Sequence, residues 1–235
     1  METDNQPSHR PARRRGVEGG LAGGLSLTAG YVDAYGLVVL GTYVSLMSGN
    51  STTMAAELGR NQFAQAAPAA AAIPAFVAGV LVGTLLTHRR AGRPHRVLFA
   101  VIATVLAAAI GLGAAQVPKV IEIAALSLAM GMVNPALSHV GRETVNLTFI
   151  TGTLSRVGSH LALGLKRMPV ADAEGAWDTH FHRALIDALL WAAFVLGAVL
   201  CVVAMPALRG LTLAPALAVM LALCLFWPAA ADAAA

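Results

Sequence analysis

A single carboxylate, Asp33, lies near the middle of the first long apolar block of the chain. A charged carboxylate at the centre of a bilayer costs roughly 2.5–3.5 kcal/mol on insertion scales, so such residues generally face a partner or a watery cavity. The position of Asp33 therefore predicts a proton- or cation-linked site. The alternative is a protonated Asp33 that hydrogen-bonds a neighbouring helix and only holds the helices together.

Two short segments of small, polar side chains would add ligands to such a site. They are Ser48, Gly49 and Asn50 after the first apolar block, and Thr151, Gly152 and Thr153 after the fourth. These residue types suit a helix break at which Ser51 or Thr52 caps a second half-helix. The N–H groups at the start of that half-helix would attract an anion or a carboxylate. An ordinary turn at the membrane edge is the alternative for either segment alone.

The two segments belong to a repeated pattern. Residues 30–34 (GYVDA) resemble residues 131–135 (GMVNP), which places Asn134 where the first copy has Asp33. In both copies the Gly-containing segment follows at a similar distance along the chain. The order and spacing predict an internal repeat, with Asn134 able to donate a hydrogen bond to Asp33. Duplication of a purely structural bundle would give the same pattern.

The composition assigns these motifs to an α-helical integral membrane protein. Hydrophobic residues make up 57% of the chain and charged residues only 12%, whereas a typical soluble domain is about 25% charged. In lipid the backbone has to satisfy its own hydrogen bonds, which leaves helices or closed barrels. The apolar residues form unbroken blocks rather than the alternating pattern of a barrel strand, so helices are predicted. The basic residues form short runs between these blocks, which argues against nucleic-acid binding despite the net charge of +4.

About six crossings are predicted, and they are the apolar blocks at residues 21–47, 70–87, 97–115, 120–140, 184–205 and 211–227. The Lys and Arg content alternates between high and low from one connecting segment to the next. This alternation places both termini in the cytoplasm. Residues 144–165 are apolar but interrupted by polar side chains, which favours a re-entrant or interfacial helix over a seventh crossing.

The predicted organisation is one transmembrane domain over residues 20–228, between a disordered basic tail at 1–19 and a short tail at 229–235. The repeats would cover about residues 20–115 and 120–228. Because their first helices run in opposite directions, the layout is a 3+3 inverted repeat, with broken or re-entrant half-helices after the first and fourth helices. Inverted repeats recur in secondary transporters, whose sites lie between the repeats.

The remaining polar residues within the helices indicate no enzyme. Asp178, His180 and His182 alternate before a helix, as in a wet interfacial segment, and no metal or cofactor is predicted there. Glu122 and Asp187 fall in the predicted first turns of their helices, where the macrodipole favours acids. The sequence shows no nucleophile–base constellation, phosphate-binding loop or zinc-protease motif.

The ordered motifs make the chain resemble the YoaK-like family of bacterial multi-pass membrane proteins, a domain of unknown function. The matching residues are Gly30, Asp33, Ala34, Gly49, Asn50, Gly131, Asn134, Thr151, Gly152 and Thr153. Ser48 replaces the usual threonine, and Pro135 stands where the family commonly has a small residue. The resemblance implies a bacterial cytoplasmic (inner) membrane and names no substrate.

The leading functional hypothesis is a small permease or transport-related protein, with a small molecule or an ion as the substrate. Its site would lie between the repeats, with Asp33, Asn50, Asn134 and Thr151 facing one another. Six helices are few for a transporter, which favours a homodimer. An accessory membrane protein that recruits partners is the second hypothesis, and a membrane-embedded enzyme is the third.

Overall fold

The computed structural model describes residues 12–88, 94–136, 139–140, 143–144, 150–173 and 175–227. Its helices are α1 (Ala12–Tyr35), α2 (Met47–Gly59), α3 (Phe63–Thr87), α4 (Pro94–Ala114), α5 (Lys119–Val133), α6 (Ile150–Leu165), α7 (His180–Leu208) and α8 (Ala214–Phe226). A π-helical segment (Gly36–Leu40) continues α1, and 3-10 turns follow α5 (Asn134–Ala136) and α7 (Arg209–Leu211). Two short strands, β1 (His139–Val140) and β2 (Glu143–Thr144), pair antiparallel, with His139 opposite Thr144.

The predicted all-α membrane fold is confirmed. Five helical stretches of the described chain are long and apolar enough to cross a bilayer: Gly16–Leu40, Phe63–Thr87, Pro94–Ala114, Lys119–Ala136 and His180–Leu211. The sixth block forms α8, an apolar helix of 13 residues. At 1.5 Å per residue it is about 20 Å long, short of the ~30 Å hydrocarbon core. Six crossings therefore stay a prediction at the last helix.

Two element boundaries differ from the sequence prediction. Helix α1 begins at Ala12, so residues 12–19 of the predicted disordered tail are helical, while residues 1–11 and 228–235 lie outside the described chain. The first apolar block is also not one helix to Met47, because α1 gives way to the π-helical segment and α2 starts at Met47. The cause is Gly41, whose φ of +76° is a left-handed conformation that ends a helix and that glycine adopts without strain.

Helix α1 lies against α7 in a glycine-mediated crossing. A Cβ added to Gly30 would overlap the backbone carbonyl of Phe194, and one added to Gly197 would overlap the carbonyl of Leu27. Each glycine thus contacts the backbone of the other helix at the residue three positions before that helix's own glycine: Gly30 at Phe194, and Gly197 at Leu27. Small residues that let backbones approach closely are the usual basis of helix association in lipid.

Helix α3 meets α5 in the same way. A Cβ on Gly131 would overlap the carbonyl of Phe76, and one on Gly79 would overlap the carbonyl of Leu128. The residues match as well as the geometry: Ala-Phe-Val-x-Gly occurs at 75–79 and 193–197, and Leu-x-x-Gly-x-Val at 27–32 and 128–133. The two crossings are therefore built from equivalent residues, and each crossing joins a helix of the first half of the chain to a helix of the second half.

Helix α6 falls within the segment whose path the sequence left open. It has 16 residues, about 24 Å at the helical rise, and is not among the stretches long enough to cross. It packs on α7, where the Arg156 guanidinium donates from Nε and Nη2 to the carboxylate of buried Asp187 at 2.8–3.2 Å. The macrodipole interpretation of Asp187 is wrong, because α7 begins earlier, at His180, and Asp187 lies beyond its first turn.

Arg156→Met is expected to destabilise the protein by about 3 kcal/mol, because it leaves the Asp187 carboxylate buried without its cation. The matched control is Arg60→Met, which removes a cation paired with Glu57 but 66% exposed. Exposed ion pairs contribute about 0–1 kcal/mol, so this control should melt close to wild type. Thermal unfolding in detergent measures both, and equal melting temperatures for the two variants would contradict the prediction.

Candidate functional site

The Asp33 carboxylate closes the break that follows the first helix. Its Oδ1 accepts the backbone N–H groups of Val44 at 2.9 Å and Ser45 at 2.8 Å, and the residue is only 5% exposed. The chain can return this close because Gly36 has no side chain, since a Cβ there would lie 2.7 Å from the carbonyl oxygen of Thr42. Asp33 thus satisfies two N–H groups that the break leaves without helical partners.

The Ser48-Gly49-Asn50 segment lies just after this break, inside the first turn of α2. The predicted cap is wrong: the hydroxyls of Ser51 and Thr52 donate back to the carbonyls of Met47 and Ser48, at 2.8 and 3.1 Å. Asn50 is buried, and its amide donates to the carbonyl of Tyr43 at 2.7 Å. Asp33, before the break, and Asn50, after it, therefore both stabilise the segment that connects α1 to α2.

The second copy of the motifs has different partners. Thr151, Gly152 and Thr153 open α6 in the same positions that Ser48, Gly49 and Asn50 occupy in α2. Buried Thr153 accepts a hydrogen bond from Arg156 at 3.4 Å, while Thr151 is exposed. The half-buried Asn134 donates to the carbonyl of Met130 at 3.5 Å rather than to Asp33. The structure brings Asp33 and Asn50 to one break, and it does not join Asn134 to them by a hydrogen bond.

A cavity of about 760 Å³ lies at the end of the bundle where the chain turns from α4 to α5 and from α7 to α8. Its walls come from the end of α1, the π-helical segment, the ends of α4 and α7, both turns and the start of α5. The charge pattern predicts that these turns face the periplasm. We call this space the Glu122 cavity, after the acidic residue in its wall.

Glu122 is a buried carboxylate, 5% exposed, in the wall of this cavity. The Tyr35 hydroxyl donates to its Oε1 at 2.8 Å. Gly113 leaves room for it, because a Cβ there would lie 3.3 Å from Oε1. Glu122 does lie in the first turn of α5, as predicted, but the macrodipole does not account for its tyrosine partner or its cavity.

Two cations line the same cavity, Lys119 and Arg209. The Lys119 ammonium donates to the carbonyl of Val39 at 2.8 Å. Arg209 is exposed, with a left-handed φ of +48°, and its guanidinium makes no hydrogen bond or ion pair within the described chain. Sequence reasoning missed this group of residues. The available signal was the three-residue spacing of Lys119 and Glu122, which puts both side chains on one helix face.

Comparisons with known proteins agree with the membrane fold. A family model described as "Protein of unknown function (DUF1275)" matches residues 21–227. The UPF0700 transmembrane protein RA0705 of Rhizobium meliloti (strain 1021) is 31% identical over 181 residues, which are 76% of this chain and 78% of that protein. No solved structure matches the chain.

Proposed function

The chain belongs to the DUF1275 family, a family of unknown function, and from its geometry we propose that it is a small permease that binds its substrate in the Glu122 cavity. The observation that carries the proposal is a cavity of about 760 Å³ with a buried, hydrogen-bonded carboxylate in its wall. Small-molecule sites are typically about 300–1,000 Å³, with a few placed polar groups among apolar ones. Glu122 and Tyr35 supply such groups here.

The matching glycine crossings support a two-fold arrangement of the halves. In each crossing a helix of one half lies on a helix of the other, α1 on α7 and α5 on α3. Secondary transporters with inverted repeats bind substrate between their repeats and expose it by tilting one bundle against another. We propose the same type of motion here. The α1–α7 pair and the α3–α5 pair would each move as one rigid body, and the Glu122 cavity would be the outward-open end.

The proposal moves the site away from Asp33. The Asp33 carboxylate is engaged by two backbone N–H groups, so its assigned part is structural, while Glu122 and Tyr35 take the binding part. We further propose a location in the bacterial inner membrane, with both termini in the cytoplasm and the Glu122 cavity facing the periplasm. A homodimer stays part of the proposal because the helix count is small for a transporter.

Uptake into proteoliposomes tests the proposal with radiolabelled amino acids, sugars, carboxylates, amines and inorganic ions. We expect saturable uptake of at least one solute, and a loss of about tenfold or more in initial rate for Glu122→Gln, equivalent to about 1.4 kcal/mol. The matched control is Glu57→Gln in α2, which lies outside the cavity wall and pairs with the exposed Arg60; its rate should stay close to wild type. Uptake equal to that of empty liposomes for every solute would favour the accessory protein instead.

A further inference from the structure

Side chains of opposite charge share the Glu122 cavity. One carboxylate (Glu122) and two cations (Lys119 and Arg209) line it, together with the neutral polar residues Tyr35, Gln116 and Thr212. In a partly desolvated site, a simple cation would be opposed by the two positive side chains, and a simple anion by Glu122. A ligand that carries both a positive and a negative charge can pair with the carboxylate and with a cationic side chain at the same time.

The carboxylate end of the cavity has hydrogen-bonding capacity left for a ligand. An ionised carboxylate accepts through two oxygens, about four lone-pair sites in all. Tyr35 uses one site on Oε1, and no described residue donates to Oε2. An ammonium group has three donors and no acceptor, so it complements the Glu122 carboxylate and the oxygen of the Tyr35 hydroxyl.

The cationic end is provided by Arg209. Lys119 is already committed to the Val39 carbonyl, whereas the Arg209 guanidinium has no partner within the described chain. A guanidinium presents its N–H groups as a planar fork that fits a carboxylate through two parallel hydrogen bonds. Arg209 lies in the turn between α7 and α8, and Glu122 lies in the first turn of α5; both line the cavity.

We propose that the ligand of the Glu122 cavity is a small zwitterion of the amino-acid class, its ammonium held by Glu122 and Tyr35 and its carboxylate by Arg209. The proposal rests on the permease function and names its substrate class. It explains why one cavity keeps a buried acid beside two basic residues that do not neutralise it.

Binding to the purified full-length chain in nanodiscs tests the inference. Equilibrium dialysis is run with each common L-amino acid, and the tightest binder is compared with its two one-charge analogues. For L-leucine these are 3-methylbutylamine, which lacks the carboxylate, and 4-methylpentanoate, which lacks the amine. We expect each analogue to bind about tenfold or more weaker than the amino acid. An analogue that binds as tightly as the zwitterion, or no binding by any amino acid, would overturn the inference.

Variants assign the two ends of the ligand. Glu122→Gln should weaken binding of the amino acid and of the amine but leave binding of the carboxylate analogue unchanged. Arg209→Gln should weaken binding of the amino acid and of the carboxylate analogue but leave binding of the amine unchanged. Arg60→Gln, which removes an exposed guanidinium directly after α2, is the control and should bind like wild type. Melting temperatures are recorded for all variants, and Arg209→Lys restores the charge if Arg209→Gln folds poorly. Glu122-dependent uptake of a plain anion or cation would contradict the zwitterion proposal and support the permease function. No uptake of any solute would contradict both.

Discussion

Gly30→Ala is expected to lower the melting temperature of the purified protein strongly, while Gly24→Ala on the same helix is expected to leave it unchanged or slightly raised. A methyl group at Gly30 would overlap the backbone carbonyl of Phe194, and backbone cannot rotate away as a flexible side chain can. Nothing lies within 4 Å of a Cβ at Gly24. Overpacking costs about 1–3 kcal/mol or more, whereas Ala in place of Gly in an open helix position gains up to about 1 kcal/mol.

The opposite signs make this pair a sharp test of the α1–α7 crossing. Thermal unfolding followed by size-exclusion chromatography in detergent measures both variants under one condition. If the halves are equivalent, Gly131→Ala should be as damaging as Gly30→Ala, because its Cβ would overlap the Phe76 carbonyl in the α3–α5 crossing. Gly111→Ala in α4, with open space around it, is the control for this second crossing. Gly30→Ala and Gly24→Ala proteins of equal stability would show that the backbones are not in contact.

The membrane class and most helices could be predicted because each depends on local composition. Apolar blocks of spanning length are visible in the sequence, and Gly49 and Gly152 are each the third residue of their helix, α2 and α6. The break at Gly41 was missed because the residues around it are as apolar as the helix itself, and only a positive φ separates this glycine from the others. The Ala-Phe-Val-x-Gly repeat at 75–79 and 193–197 was available in the sequence and would have strengthened the repeat.

The cavity could not be predicted because its residues meet only in three dimensions. Tyr35 and Glu122 are 87 positions apart, and Arg156 and Asp187 are 31 apart. A carboxylate in a first helical turn has a sufficient local explanation in the macrodipole. Because that explanation was sufficient, neither the tyrosine partner of Glu122 nor the salt bridge of Asp187 was predicted. Asp33, by contrast, drew attention as an intramembrane charge, yet its partners are backbone groups that have no sequence signature.

Asp33→Ala is expected to destabilise the protein by about 2–3 kcal/mol, because it leaves the N–H groups of Val44 and Ser45 buried without an acceptor, and hydrogen bonds to charged groups contribute about 1.5–3 kcal/mol. Asp33→Asn should lose less, since its amide oxygen still accepts from this segment. The control is Asp172→Ala, whose half-exposed carboxylate pairs with Arg183; its loss should change the melting temperature little, because Asp178 still pairs with that guanidinium. Uptake separates structure from coupling: a structural Asp33 predicts that folded Asp33→Asn keeps most of the wild-type rate. Normal melting with abolished uptake would instead return Asp33 to a coupling role and move the site from the Glu122 cavity to the helix break.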